Sequence, residues 1–552
     1  MATDDQISVL QDYPSAVLAL RGALRDQRLG LMLGAGVSRA FDFGGGSSPP
    51  SWPALVARLE EALAYDASIK AYLKLSLTQR VDVLFREFLR DRGVDPTDNI
   101  AVTGVMGQWR DLIRDHLYAD APPPADLLSK HAYLAPMLDL VLKSPLTVTY
   151  NFDSFLEEAL SEYSREGSTP GTNQGRPYET VLDATLPQRQ QQAVVFHING
   201  YLPRNPLETP SDQLVFSEAD FSDQLVMTTA GRYATISHHL LNNVYLLLGL
   251  SLEDANLRHL LHTHARSSPG RIHFIVRFLD EPCRRADLSL LQQSIAESGF
   301  ELHNLCTLYL TNEQIAALTQ LISMPAYEFG EVAKSAEVGT RRVFYLSGVP
   351  GIGKTTVLRH MGGLMCLDEW MTEPDELLSH PFNELSPEQR GRLDGWVAKQ
   401  FRSKNEFLLD TKDGIVVVER GPLDPLAFEE RDRVQAKAAS FADRVEVGLR
   451  PLAPGHVVVL HGDSRTVSRR VASRQSRPQA PDYLDQLQTH IRDLYGEGDG
   501  VSVWRSTDWP VEDLVKRVAR LVYQEEYREA DMQAMLASLV EQRVGVQPEA
   551  PH

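Results

Sequence analysis

The sequence has little cysteine and an excess of acidic residues. Its three cysteines, Cys283, Cys306 and Cys366, form no CxxC pair, so a zinc ribbon is excluded and a disulfide scaffold is not expected. A reducing compartment fits this composition. The 552 residues include 55 Lys and Arg against 74 Asp and Glu, and the formal net charge of −19 gives no support for direct nucleic-acid binding.

Long apolar runs are also missing. The longest, "VYLLLGLSL" from Val244, is far too short to span a bilayer, so no membrane contact is expected. The first residues, "MATDDQISVL", are acidic and lack the basic and apolar regions of a signal peptide. These features predict a cytoplasmic protein, and the length allows two to four domains.

Strand-like apolar runs alternate with helical patterns in two blocks of the chain, which predicts α/β domains with mostly parallel sheets covered on both faces. We expect the first, Rossmann-like domain at 1–324, with a helical insertion at about 53–142. A loss of periodicity predicts a linker at 325–342, and a second domain follows at 343–552. The predicted strands lie in "LGLML", "PLTVTYNFD", "AVVFHING", "NVYLLLGLSLED" and "IHFIVRF", then in "RVFYLSG", "GIVVVERG", "GHVVVLHGD" and the start of "VWRSTDWPVEDLVKRV".

The second block contains a phosphate-binding motif. "GVPGIGKTT" has GxxxxGK[ST] spacing, follows the strand "VFYLS" and opens a helix, which is the context that a P-loop requires. Its backbone N–H groups and helix N-terminus favour phosphate oxygens. Lys354 would contact the β- and γ-phosphates, and Thr355 would be the ligand of a nucleotide-bound Mg²⁺. The residues expected to bind ATP or another nucleotide are Gly348, Gly351, Gly353, Lys354, Thr355 and Thr356.

Further charged residues indicate the type of P-loop protein. Glu419 and Arg420 end a strand, and "DSRTVSRRVASRQSR" carries Arg465, Arg469, Arg470, Arg474 and Arg477 on a helix, which suits a phosphate clamp or, alternatively, a solvated basic face. Over about 340–525 these residues resemble the deoxynucleoside and thymidylate kinases, which implies nucleotide contacts for Glu419, Arg420, Arg469 and Arg474. The sequence "ERGPL" departs from that family's pattern. The implied base carboxylate lies among Asp368, Glu369 and Glu373, so nucleotide binding is better supported than phosphoryl transfer.

The first block carries four short stretches in order: "GAGVS", "TYNFD", "FHINGYLPR" and "GLSLED". Alone, the Gly-rich turn is equally consistent with a pyrophosphate site and with a close helix–strand crossing. The series resembles the sirtuin-like family, in the branch with a helical insertion and no zinc ribbon, over about 20–300. The resemblance implies that NAD⁺ phosphates contact Gly34, Ala35, Gly36 and Ser38, and that Gly249 and Ser251 also bind NAD⁺.

The same resemblance implies catalytic positions at Asn151, Asp153, His197 and Asn199. Asn151 would orient a water or a ribose hydroxyl and Asp153 would hold the nicotinamide end, although both are also typical of a turn that caps a helix. Sirtuins have their catalytic histidine directly before a glycine, where this chain has Asn199. Because side chains two apart on a strand share a face, His197 is expected to point into the same pocket and replace it, unless it is a buried, structural histidine.

The leading functional hypothesis is a bacterial antiphage defence effector that hydrolyses NAD⁺ to nicotinamide and ADP-ribose. The kinase-like domain would bind a nucleotide with Mg²⁺ and control this NADase, in a homo-oligomer that responds to a phage-derived trigger and depletes NAD⁺ in abortive infection. The first alternative is a nucleoside or nucleotide kinase regulated by NAD or ADP-ribose. A nucleotide-switch module without chemistry is a further alternative, and the missing zinc ribbon disfavours a protein deacylase.

Overall fold

The computed structural model describes residues 2–44, 47–127, 131–166, 177–181, 192–211, 214–229, 234–380, 385–445, 450–473 and 479–541. The chain divides into two compact units. Unit 1 comprises Met1–Ser267 and Ile272–Pro325, and unit 2 comprises Ser268–Arg271 and Ala326–His552.

Unit 1 is built on a seven-stranded parallel sheet of order β3-β4-β2-β1-β5-β6-β7. Three of its central strands, β1, β4 and β5, are buried at every residue, as expected when helices cover both faces. The strands are β1 Leu29–Leu33, β2 Leu146–Thr149, β3 Tyr178–Val181, β4 Ala193–His197, β5 Val244–Leu248, β6 His273–Phe278 and β7 Leu305–Leu310.

The strand order reverses at β1, which pairs with β2 on one side and with β5 on the other. In open parallel sheets the ligand crevice lies at the carboxyl ends of the strands at such a reversal. We therefore expect a ligand site at the turns that follow β1, β2 and β5.

The α-helices of unit 1 precede, separate and follow these strands along the chain. They are α1 Asp4–Asp12, α2 Pro14–Arg25, α3 Ala35–Ser38, α4 Trp52–Ala62, α5 Leu77–Asp91, α6 Asn99–Leu117, α7 Leu134–Lys143, α8 Phe155–Glu166, α9 Glu218–Thr229, α10 Ala234–Asn242, α11 Ala255–Ser267, α12 Leu290–His303 and α13 Asn312–Ser323. Short 3₁₀ helices occur at Tyr72–Lys74, Pro124–Asp126 and Arg285–Asp287.

Unit 2 contains a five-stranded parallel sheet of order β12-β11-β8-β10-β9. Its central strand, β8, is the strand that leads into the P-loop. The strands are β8 Arg341–Gly348, β9 Met365–Leu367, β10 Gly414–Glu419, β11 His456–His461 and β12 Val501–Arg505.

The α-helices of unit 2 are α14 Ala326–Ser335, α15 Lys354–His360, α16 Pro387–Asp410, α17 Val434–Val445, α18 Ser464–Ala472, α19 Pro481–Tyr495, α20 Val511–Tyr523 and α21 Met532–Glu541. Short 3₁₀ helices occur at Glu376–Ser379, Asp424–Phe428, Arg431–Arg433 and Ser506–Asp508. Among all the helices that the structure describes, none is long and apolar enough to cross a membrane.

Local sequence explains where several helices begin. Thr3, Ser76, Ser289, Thr311 and Ser386 each form a capping box, in which the hydroxyl accepts from the backbone N–H three residues later and a glutamine there bonds back to the cap. These pairs satisfy N–H groups that the first helical turn leaves without intrahelical partners.

The predicted α/β fold with parallel sheets is confirmed, and three details differ from the prediction. The segment 325–342 is not an irregular linker, because α14 occupies Ala326–Ser335 and buries Phe329, Val332 and Ala333 within unit 2. The short strands β3 and β9 were not predicted, since four and three residues carry little periodicity. The prediction also omitted β7, an apolar run at the edge of the first sheet.

Candidate functional sites

The turn between β1 and α3 crosses the end of β5 at very short range. The N–H groups of Gly34 and Gly36 donate to the carbonyls of Leu248 and Gly249, each over 2.9 Å. A Cβ on Gly36 would lie 2.6 Å from Gly249 Cα, and one on Gly249, whose φ is +69°, would lie 2.5 Å from Val37 N. The close crossing that the sequence left open is therefore present, and it brings Gly34, Gly36 and Gly249 together at the reversal of strand order.

Asn151 lies just beyond β2 and joins this turn. Its Nδ2 donates to Ser38 Oγ over 2.8 Å and to Gly34 O over 3.3 Å. Both bonds use the amide nitrogen, and no described residue forms a hydrogen bond with Oδ1. Asn151 is partly exposed, so this oxygen is an acceptor that remains for a water or a hydroxyl.

His197 ends β4 and is only 2% exposed, and both of its ring nitrogens have protein partners. Nδ1 lies 2.8 Å from the main-chain carbonyl of Asn151, and Nε2 lies 2.6 Å from Oε1 of Glu157. Because a carbonyl only accepts, Nδ1 carries a proton. Burial opposes a charge on the imidazole, but the charge and hydrogen bond of Glu157 more than offset it, so the pKa of His197 is raised.

This geometry leaves no ring nitrogen of His197 for a substrate. It matches the alternative of a buried histidine with satisfied hydrogen bonds. What His197 does is hold the main chain of Asn151, while Asn151 presents its side chain to the turn after β1. Glu157, on α8, is the residue that sequence reasoning missed here, although its position four residues after Asp153 in a helix-opening turn is a usable signal.

Asn199 does not lie on the strand that ends at His197, contrary to the expectation. β4 ends at His197, so the two-residue alternation of a strand does not extend to Asn199. The Asn199 amide donates to Tyr150 O over 2.9 Å and its Oδ1 accepts from Gln224 Nε2 over 2.9 Å. Asn199 thus connects the end of β2 with α9, whereas His197 contacts α8.

Asp153 caps the start of α8, as the alternative interpretation of "NFD" expected. Its Oδ1 accepts from the N–H of Phe155 over 3.1 Å. Burial raises the pKa of Asp153 to about 7, with a smaller contribution from the charge of Glu157. A carboxyl group that titrates near neutrality beside Asn151 can exchange a proton at physiological pH.

The remaining predicted NAD⁺ contacts lie at the edge of this region. Ala35 and Ser251 are exposed, and Ser251 Oγ accepts from Glu253 N over 3.3 Å in the turn after β5. Of the unit 1 candidates, the structure joins Gly34, Gly36, Ser38, Gly249 and Asn151 by direct bonds or close backbone approach. His197 bonds to the Asn151 carbonyl, Asn199 bonds to the carbonyl of the preceding Tyr150, and Asp153 lies two residues after Asn151.

Unit 2 forms the predicted P-loop between β8 and α15. Gly348, Gly351 and Gly353 have φ values of +139°, +79° and +119°, which favour glycine. Lys354 is 4% exposed, and its Nζ donates to Gly348 O over 2.8 Å and to Val349 O over 3.1 Å. Burial lowers the pKa of Lys354 to about 8, and the nearby cation Arg420 adds to this effect.

The carboxyl end of β10 supplies two further groups beside this loop. Thr355 Oγ1 donates to Glu419 Oε1 over 2.7 Å, so a hydroxyl and a carboxylate are adjacent, as a nucleotide-bound Mg²⁺ requires. Thr356 is the next residue of α15. Arg420 Nε donates to Glu369 Oε1 over 2.8 Å.

The structure distinguishes the three carboxylates that the sequence left open. Glu369 pairs with Arg420, whereas Asp368 and Glu373 are exposed. Burial opposes ionisation of Glu369, but Arg420 and Lys354 more than offset it, so its pKa is lowered. Glu369 is thus a carboxylate held next to the P-loop lysine.

Two buried charged residues of this cluster were missed by sequence reasoning. Lys404, on α16, donates from Nζ to Glu419 O over 2.8 Å. Asp424 accepts from Ser347 Oγ over 2.6 Å and from Tyr495 OH over 2.8 Å. Asp424 stands four residues after Arg420 in the sequence, which is a usable signal, but nothing in the pattern of α16 distinguishes Lys404 from its exposed neighbours.

Three of the five arginines of the predicted clamp lie among the described residues. Arg465, Arg469 and Arg470 lie on α18, which follows β11. Arg469 is exposed and bonds to its own helix, at Arg465 O over 3.4 Å and Thr466 Oγ1 over 3.2 Å. Arg474 and Arg477 lie outside the described residues.

Comparison with known proteins agrees with the first resemblance. Residues 145–298 match the SIR2-like domain family. This SIR2-like region runs from β2 to α12 and contains Asn151, Asp153, His197 and Asn199, so the sirtuin-like prediction is confirmed over this part of unit 1. No curated protein matches the chain.

Several solved structures are similar at low identity. A deoxyadenosine kinase from M. mycoides, with products dCMP and a flexible dCDP bound, is 12% identical over 32% of this chain and 96% of its own, with a TM-score of 0.26. A gluconokinase from Sinorhizobium meliloti 1021 is 18% identical over 37% and 95%, with a TM-score of 0.20. A NadR protein in complex with NAD and AMP-PNP is 12% identical over 69% and 88%, with a TM-score of 0.26. These values are too low to transfer a ligand or an activity to this chain.

Proposed function

We propose that the SIR2-like unit hydrolyses NAD⁺ to nicotinamide and ADP-ribose. The observation that carries this proposal is Asn151, whose Nδ2 is fixed by Ser38 and Gly34 while Oδ1 keeps its acceptor capacity at the reversal of strand order. That place is where an open parallel sheet binds its ligand. The family match supports NAD⁺ as the ligand, because it spans the same residues.

Hydrolysis of NAD⁺ does not depend on a strong base. The C1′–N bond to nicotinamide breaks, nicotinamide leaves as a neutral molecule, and water adds to the oxocarbenium-like ribose and releases one proton. Asn151 Oδ1 would orient that water or a ribose hydroxyl. Asp153, near the nicotinamide end and with a pKa of about 7, would accept the proton in its ionised form.

His197 acts in this proposal as a positioning residue. It binds the Asn151 carbonyl and the Glu157 carboxylate, so it fixes Asn151 without touching NAD⁺. Asn199 has a similar supporting role through Tyr150 and Gln224. The exposed Ala35 and Ser251, with Gly34, Gly36, Ser38 and Gly249, would line the phosphate end of NAD⁺.

Unit 2 would bind ATP or another nucleotide with Mg²⁺ and control the hydrolase. Gly348, Gly351 and Gly353 would contact phosphates, and Thr355 would ligate Mg²⁺ with Glu419 beside it. Lys354, Thr356, Arg420, Arg469 and Arg474 complete the proposed nucleotide contacts. A nucleotide controls the activity only as far as its affinity differs between the inactive and active states. Homo-oligomer formation and a phage-derived trigger, in antiphage defence through NAD⁺ depletion, belong to this proposal.

The deciding experiment measures nicotinamide and ADP-ribose by mass spectrometry after incubation of the purified full chain with NAD⁺, with and without a panel of Mg²⁺-nucleotides. Release of both products that disappears in Asn151→Ala supports the hydrolase. NAD⁺ cleavage that Asn151→Ala leaves unchanged contradicts it.

A second candidate is a nucleoside or nucleotide kinase. The observation favouring it is the Glu369–Arg420 pair beside Lys354, because an ionised carboxylate next to a phosphate site can accept the proton of an attacking hydroxyl. Incubation with ATP and a nucleoside panel tests it. A phosphorylated product that is lost in Glu369→Gln supports the kinase, and unchanged nucleosides exclude it for that panel.

A further inference from the structure

The turn after β10 carries two functional groups on a strained backbone. Arg420 has φ of +74°, a conformation that L residues other than glycine rarely adopt, and it persists only where surrounding contacts hold it. One such contact is the bond from Arg420 N to Leu346 O, 3.0 Å long, which ties the turn to β8.

The side chains of Glu419 and Arg420 bind different parts of unit 2. Glu419 reaches Thr355 at the start of α15, over 2.7 Å. Arg420 reaches Glu369 over 2.8 Å and Gly348 O over 3.2 Å. A change in the peptide between Glu419 and Arg420 would therefore displace the carboxylate beside the proposed Mg²⁺ ligand and the guanidinium beside the P-loop together.

Lys404 binds the carbonyl oxygen of this peptide, whereas the bond to Leu346 uses the N–H of the same peptide. It is 3% exposed, and its Nζ donates to the carbonyl of Glu419 over 2.8 Å. Burial lowers the pKa of this ammonium group to about 8, and the charges of Glu369, Glu419 and Asp424 offset part of that effect. Among the described residues its hydrogen bond goes to the Glu419 carbonyl and not to one of these carboxylates, so Lys404 ties that peptide to α16.

We propose that Lys404 is a positioning residue of the nucleotide site, which fixes the peptide between Glu419 and Arg420 so that Glu419 faces Thr355 and the Mg²⁺ of a bound nucleotide. This inference rests on the proposed nucleotide binding by unit 2. Lys404 itself does not touch the nucleotide. Its effect is therefore on the Mg²⁺-dependent part of the affinity and not on the contacts that the P-loop backbone makes.

The test is calorimetric titration of ATP into the full chain, once with Mg²⁺ and once with EDTA, for four proteins. They are wild type, Lys404→Met, Lys404→Arg and the matched control Lys399→Met, an exposed lysine on the same helix. We expect Lys404→Met to lose about tenfold of the affinity gained from Mg²⁺, as for the loss of a hydrogen bond to a charged group, with EDTA affinity within about twofold of wild type. Lys404→Arg retains a donor and should recover part of the gain.

Three results would overturn the inference. If Lys404→Met keeps the full gain in ATP affinity from Mg²⁺, Lys404 has no positioning role. If its ATP affinity falls equally with Mg²⁺ and with EDTA, the role of Lys404 is merely structural. If circular dichroism shows that Lys404→Met does not fold, Lys404→Gln replaces it under the same two criteria. A wild-type protein whose ATP affinity ignores Mg²⁺ contradicts the proposed nucleotide site itself, and the inference fails with it.

Discussion

Nδ1 of His197 lies 2.8 Å from the carbonyl oxygen of Asn151, and this bond links the end of β4 to the turn after β2. On its other side the same ring contacts Glu157. Asn151, whose Oδ1 forms no hydrogen bond with the residues that the structure describes, is thus held through its carbonyl by a buried histidine–carboxylate pair.

Asn151→Ala should strongly reduce NAD⁺ cleavage. The side chain contributes two hydrogen bonds and the proposed orientation of water, and removal of one preorganised polar group typically lowers turnover by about a hundredfold or more. Release of nicotinamide measures the effect. Asn99→Ala, at an exposed asparagine of the same unit, is the control and should match wild type. Full activity in Asn151→Ala would contradict the proposed site.

His197→Ala should lower both stability and activity. It leaves the buried carboxylate of Glu157 without its partner, which typically costs about 3–5 kcal/mol. Chemical denaturation measures this change, with the exposed His259→Ala as control. An unchanged unfolding free energy together with lost turnover would instead indicate a chemical role for the ring.

The pair of His197 and Glu157 predicts that the stability of the protein depends on pH. Because the folded-state pKa of His197 is raised, its stabilising contribution is fully present below the unfolded value of about 6.5 and is lost as pH rises through the folded value. The stability gap between wild type and His197→Ala should therefore be larger at pH 6 than at pH 9. A gap that widens with pH would contradict this assignment.

Asp153→Asn should increase stability at pH 8 and reduce turnover. In the unfolded chain the carboxyl ionises from about pH 4, but in the fold its pKa is about 7, so wild type loses stability as pH rises between these values. Asparagine still caps α8 without that penalty. Thermal melts at pH 4 and pH 8 should show a gain only at pH 8, and turnover should fall about tenfold or more if Asp153 accepts a proton. Equal gains at both pH values would argue against the raised pKa.

Lys354→Ala should raise the Kd for ATP about tenfold or more, since it removes a charged donor to phosphate. In wild type, affinity should fall between pH 7 and pH 9, because the pKa of Lys354 is about 8 and its charge is lost on deprotonation. Calorimetry measures both effects, and Lys412→Ala, at an exposed lysine, serves as the control. An unchanged Kd for ATP in Lys354→Ala would exclude a functional P-loop.

Gly36→Ala should destabilise unit 1 by about 1–3 kcal/mol, because the added methyl would lie 2.6 Å from the backbone of Gly249. Gly104→Ala is the matched change, since its methyl would project into open space from α6 and should stabilise by about 0.5–1 kcal/mol. Denaturant unfolding of both variants checks the pair. Similar stabilities for the two would show that the crossing has room for a side chain.

Much of the fold was predictable because the signals are local. Apolar runs predicted most strands of both sheets, and the spacing of Gly348, Gly353 and Lys354 predicted the P-loop without any distant contact. The sequence pattern does not predict β3 because two of its four residues are only half-buried, and it predicts a linker in place of α14 because 325–342 lacks periodicity.

The candidate sites were only partly predictable. Asn151, Asp153 and the P-loop were named from motifs, but a motif does not say which atoms stay free. His197 was expected to be available as a base, and its partner Glu157 lies 40 residues earlier in the chain. Asn151 and Ser38, which bond directly, are 113 residues apart.

The sequence by itself determined the acidic composition, the absence of a zinc ribbon, the parallel α/β character and the phosphate-binding loop. Each of these follows from residue types or from spacing within one short segment. Only the tertiary structure decided that Glu369 and not Asp368 or Glu373 meets Arg420, that Lys404 holds the turn at Glu419, and that His197 is fully engaged. The physical reason is that burial and hydrogen-bond partners depend on which distant segments the sheet topology brings to one edge.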